Sequence, residues 1–143
     1  MPYQFLPDLA TADVAFKAWG TTAEEMFMAA GQATMNVMVE NLDSLAHQVH
    51  QVIHLEAENI ENLLFDFLQE IIFYKDAQQL LLLPEKIHIQ ITDQRCHLST
   101  QMYGDKINPS KHHFNVDVKA VTMHLFQVSQ IAGGWEARVV LDI

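Results

Sequence analysis

"KIHIQITD" (86–93), "CHLSTQMYG" (96–104), "FNVDVKAVTMHLFQV" (114–128) and "WEARVVLDI" (135–143) make up most of the second half of the chain. Each is rich in β-branched and aromatic residues, which suit a pleated, half-buried surface. They follow one another without a helical pattern between them. Strands in direct succession pair as antiparallel neighbours, whereas a doubly wound sheet needs a helix between each pair. This half therefore predicts an α+β fold built on antiparallel sheet. "AGG" at 132–134 supplies a tight turn between the last two runs.

The first half adds the helices. "DVAFKAWG" (13–20) alternates loosely and ends on Gly20, as a strand entering a turn does. Thr22 followed by Glu25 is a capping-box pattern, and Met26, Phe27, Ala30, Ala33, Val37 and Met38 recur at helical spacing, predicting a helix over roughly 22–39. "HQVHQVIHLEA" (47–57) alternates again. In "ENIENLLFDFLQEIIFYKD" (58–76), Leu63, Leu64, Phe67, Leu68, Ile71 and Ile72 form one apolar stripe behind a start at Glu58 or Asn59. The expected order is β-α-β-α followed by several strands, in one domain spanning 1–143.

Composition narrows the function. Half of the 143 residues are hydrophobic, a globular balance, and 18 acids against 8 bases give a formal charge of −10. Affinity for a phosphate backbone comes largely from Lys and Arg, so direct nucleic-acid binding is disfavoured, while a basic protein or cations suit this charge. The single cysteine, Cys96, excludes an internal disulfide and a thiolate zinc cluster. The N-terminus lacks a signal-peptide pattern and no apolar run approaches a membrane span, which reads as a soluble cytoplasmic protein.

No glycine-rich phosphate loop, GxSxG, HExxH or EF-hand pattern is present. His50 and His54 share one face of a strand about 13 Å apart, with His47 on the other, so these read as ordinary surface histidines, as do His112 and His113. Asp66 and Glu70 share a helix face opposite the apolar stripe and read as solvated. Asp13 stands at a strand start, where Asp is disfavoured, and Asp142 poses the same problem at the other terminus. If 114–128 is extended, Asp117, Lys119 and Val121 share a face, and Val118 and His124 the other.

"ATADVAFKAWGTTAEEMF" (10–27), "LLFDFLQEIIFYKD" (63–76), "VKAVTMH" (118–124) and "GGWEARVVLDI" (133–143) together resemble the archease family, in the right order over nearly the whole chain. The resemblance implies a small α+β cofactor protein of the RtcB-type RNA ligase, not an enzyme. That ligase joins 2′,3′-cyclic-phosphate or 3′-phosphate RNA ends to 5′-hydroxyl ends in tRNA splicing and RNA repair. It is first guanylylated on a histidine using GTP and divalent metal, and an archease promotes that step and repeated turnover. The resemblance places a metal site on Asp13, Asp142 and the terminal residue Ile143, with Lys119 and His124 of the "KAVTMH" motif as functional residues near it. Such oxygen ligands suit calcium, with magnesium or manganese as alternatives. RNA would be reached only through the ligase, and no membrane is involved. One departure is Ala10, where the family pattern leads us to expect a histidine. Two other classes compete: a metal-dependent hydrolase of a small substrate using Asp13, Lys119 and Asp142, and a chaperone-like interaction module in which the two acids merely end strands. Why the chain stops one residue after Asp142 has an answer in the first reading: the free carboxylate of Ile143 is itself a ligand.

Overall fold

The computed structural model describes residues 2–7 and 13–143. Its strands are β1 (Tyr3–Phe5), β2 (Val14–Gly20), β3 (Val49–Ala57), β4 (Leu80–Ile91), β5 (Cys96–Lys106), β6 (Ala120–Ile131) and β7 (Gly134–Asp142). The helices are α1 (Ala23–Met38) and α2 (Ile60–Gln78), with a 3-10 turn at Leu42–Ser44. The strands form two antiparallel sheets, one in the order β1-β2-β7-β6 and the other β3-β5-β4. The α+β expectation is met.

Both helices lie where their apolar stripes can be buried. All six stripe residues of α1, from Met26 to Met38, and all six of α2, from Leu63 to Ile72, are in the core. Phe27 meets Phe67 with ring centroids 5.7 Å apart, and Phe65 of α2 meets Phe126 of β6 edge-on at 5.5 Å. The sheets contribute Phe16, Val139 and Leu141 on one side and Leu82, Leu98 and Met102 on the other.

The helix ends follow the sequence closely. Thr22 caps α1 by accepting from the Glu25 amide at 3.1 Å. The Glu25 carboxylate reaches back one residue further than a simple capping box, accepting from the Thr21 amide and hydroxyl. Those bonds, the Thr21 hydroxyl foremost, hold its carboxyl below the usual range. Asn59, not Glu58, caps α2. The polar face of α2 is less solvated than expected: Glu70 is half-buried, and burial, aided by the Asp66 charge, raises its carboxyl above the usual range.

Three expectations need correction. β4 begins at Leu80, before Pro84, not after it. Pro84 is tolerated because β4 is an edge strand and the register shifts between Pro84 and Lys86. The run 114–119 is not a strand; it touches the fold through a bridge from Phe114 to Val39 and a bond from the Asn115 amide to the Met38 carbonyl. The alternation inferred for Asp117, Lys119 and Val121 therefore does not apply. His112 is not a surface histidine: it is buried, its Nδ1 accepting from the Asn108 amide at 3.1 Å and its Nε2 3.3 Å from Asp105. The turn at 132–134 is present, with Gly133 at φ 80°.

Candidate functional site

The site follows from strand order. β7 lies between β2 and β6. The β2–β7 ladder closes on the pair Val14–Leu141. Asp13 precedes Val14 and Asp142 follows Leu141, so the two acids end neighbouring strands on the same side of the sheet. On the other flank Ala120 pairs with Asp142, and the Lys119 amide donates to the Asp142 carbonyl at 2.8 Å. Thus Asp13, Asp142, Ile143 and Lys119, drawn from both ends of the sequence and from the start of β6, meet at one end of one sheet.

Asp13, Asp142 and Ile143 are half-buried and the Lys119 side chain is exposed. Leu141 packs in the core, so by the two-residue alternation Asp142 points to the other face. Ile143 packs against the core and steadies the end of β7. Among the described residues neither acid enters an ion pair. Neighbouring carboxylates without a counter-charge repel one another, and a bound cation relieves that repulsion. Among the described residues no three His, Cys, Asp or Glu side chains gather as a metal group.

His124 stands apart from these residues. In β6, Met123 to Phe126 face Val139 alone, because the register shifts between Thr122 and Gln127. His124 is exposed within this bulge, beside a left-handed Leu125 at φ 56°. Val139 is three residues from Asp142, roughly 10 Å along a strand. Ala10 lies outside the described residues.

Lys75 is a functional candidate that the sequence reading missed. It is 6% exposed, donates to the Val118 carbonyl at 2.8 Å and pairs with Asp117 and Asp76. It ties α2 to the irregular segment leading into Lys119. The only signal in the sequence is a lysine one turn past Ile71 and Ile72, on the margin of the apolar stripe. We expect Lys75→Met to cost about 1–3 kcal/mol, because the Val118 carbonyl loses its donor. Asp76 and Asp117 remain in water with side chains 56% and 68% exposed, so they add little. A denaturant melt measures this.

A groove of about 1190 Å³ lies elsewhere, lined by Trp19, Gly20, Glu24, Met28, Ile131 and Gly133 among others. Gly20 ends β2 and Gly133 turns β6 into β7, so the groove is at the opposite end of these strands from Asp13 and Asp142.

The architecture is that of a small α+β protein with an acidic end to its larger sheet. The sequence model of the Archease protein family (MTH1598/TM1083) matches residues 3–143, and the chain belongs to that family. It is similar to the protein archease of Pyrococcus furiosus, 34% identical over 134 residues, covering 93% of this chain and 94% of that one. The protein archease of Methanosarcina mazei is 30% identical over 142 residues, covering 99% and 95%. The solution structure of protein 1598 of Methanobacterium thermoautotrophicum superposes with a TM-score of 0.84 at 30% identity, covering 99% of each chain. The crystal structure of an archease from Thermotoga maritima, described as a "possible chaperone", has a TM-score of 0.58 at 19% identity and covers 96% of each chain, which speaks to the fold alone. No helix among the described residues is long and apolar enough to cross a membrane.

Proposed function

We propose that this protein is a metal-binding accessory factor that activates an RtcB-type RNA ligase in tRNA splicing and RNA repair, acting in the cytoplasm, and is not itself an enzyme. The ligase role rests on membership of the family; the observation that supports the metal-binding part is the meeting of Asp13 and Asp142 at the ends of neighbouring strands with no ion-pair partner among the described residues. In this reading Asp13, Asp142 and the terminal carboxylate of Ile143 hold a divalent ion. Carboxylates are hard donors, which favours calcium, with magnesium or manganese as substitutes. The ion would supply concentrated positive charge at an otherwise anionic sheet end. The exposed side chain of Lys119, its backbone fixed to Asp142, offers a further cation to a phosphate or a carboxylate of the partner complex.

The net charge of −10 supports a division of labour in which the ligase holds RNA and this protein meets the ligase. GTP-dependent guanylylation of the ligase, measured with and without this protein, tests the reading. A chaperone-like module would raise the yield of folded ligase without raising the guanylylation rate of ligase already folded.

Two variants separate the parts of the site. Lys119→Ala is expected to weaken activation more than metal binding, as guanylylation assays and calcium titration of the same preparation would show. Equal losses would make Lys119 a residue that only organises the pocket. Appending Gly-Ser after Ile143 turns its carboxylate into a neutral amide, so calcium affinity and activation should both fall. An N-terminal extension should do much less.

A further inference from the structure

We infer that the open face of the three-stranded sheet carries a transition-metal site formed by His54, His88 and His97. It does not rest on the reading of Asp13 and Asp142, which lie on the other sheet. The register brings the three together. Ser99 of the central strand β5 is flanked by His54 of β3 and His88 of β4. His97 is two residues from Ser99 on β5, between Glu56 and Gln90. Directly opposed residues share a face, as do residues two apart on one strand, so all three histidines leave the same side.

Neighbouring strands lie about 4.8 Å apart, so the backbones of His54 and His88 are separated by roughly 10 Å. Two imidazoles, each about 2 Å from a shared ion, bridge such a span. The small Ser99 side chain leaves the space between them clear. The three rings line one shallow depression of about 320 Å³ together with Glu56, Gln90 and Ser99. As the rings stand, no three such side chains among the described residues form a ligand group. All three are exposed, so they can converge by moving between ordinary staggered rotamers.

Glu56 adds a second feature of a built site. Its Oε2 lies 3.8 Å from Nδ1 of His97, while its other oxygen pairs with Arg95. At that distance the two are not hydrogen-bonded, but a small side-chain rotation would let Glu56 accept from Nδ1 of His97 and leave Nε2 free to ligate. Three neutral imidazoles suit zinc, copper or nickel and not calcium, so the two sites differ in the ion they take. An ion here would tie both edge strands, β3 and β4, to the central β5.

The test is calorimetric titration of untagged full-length protein with zinc chloride. We expect one zinc per chain at this face, at least about tenfold weaker binding in His97→Ala, and no binding at this face in His54→Ala/His88→Ala/His97→Ala. Asp142→Asn should leave the signal in place. In wild-type protein, the imidazole proton resonances of His54, His88 and His97 should shift together, a readout that needs no variant to fold. Equal zinc uptake by the wild type and the triple variant overturns the proposal. So does a titration that moves one or none of the three histidines.

Discussion

Asp13→Asn and Asp142→Asn are each expected to abolish activation of the ligase while leaving the protein folded. In the proposed site each acid supplies a charged donor that no neighbour can replace. Loss of an outer-shell partner already costs about 10- to 100-fold in metal affinity, and loss of a ligand should cost more. The fold has little stake in either carboxylate. Both side chains are half-buried, and neither is in an ion pair among the described residues. Substitutions of that kind usually change stability by within about 0.5 kcal/mol. Neutralising one of two neighbouring carboxylates also relieves like-charge repulsion in the metal-free protein. Calcium titration, guanylylation assays and a thermal melt on the same preparations separate the effects. A variant that unfolds at ordinary temperature would make its acid structural.

The second large effect is on stability. Gly104→Ala is expected to destabilise the fold by about 3 kcal/mol, the upper end of what overpacking costs. Gly104 lies in the central strand β5, paired with Val49 on one side and Leu82 on the other. A β-carbon there would stand 1.8 Å from the Leu81 carbonyl oxygen and 3.1 Å from the Leu82 Cα. Those are backbone atoms, so no rotamer change relieves the clash. β4 would have to move, and Leu81 and Leu82, both fully buried, would move with it. The Gly104 carbonyl also accepts from the Gln48 amide at 3.0 Å, so displacement of β5 would be felt in the loop before β3. Urea denaturation of the variant measures the loss, and a midpoint close to that of the wild type would show that β4 can shift cheaply.

The helices were legible because their apolar stripes coincide with their buried faces, and Thr22 and Asn59 are where caps should be. β4 was harder. Leu80 to Leu83 are all buried, so the run carries no alternation, and Pro84 argues against a strand unless it lies at an edge. The segment 114–119 erred in the other direction. It alternates like a strand, but its amides and carbonyls go to Met38, Lys75 and Asp142 instead of a continuous ladder. His112 looked ordinary because its burial depends on Asp105 and Asn108, whose roles no local pattern announces. The same limit applies to the candidate site. Asp13 and Asp142 are near opposite ends of the chain, and only the pairing of β2 with β7 makes them neighbours. Periodicity marked each as an oddity in its own strand. Their association came from the family resemblance, and so did the role given to Ile143.

The measurement closest to the central claim is the number of RNA joints sealed per molecule of RtcB-type ligase, with GTP and divalent metal, as this protein is added. The account predicts that the ligase alone stalls near a single turnover, that the wild-type protein restores repeated turnover, and that Asp142→Asn does not. Turnover unchanged by the wild-type protein, or restored equally by Asp142→Asn, would contradict it.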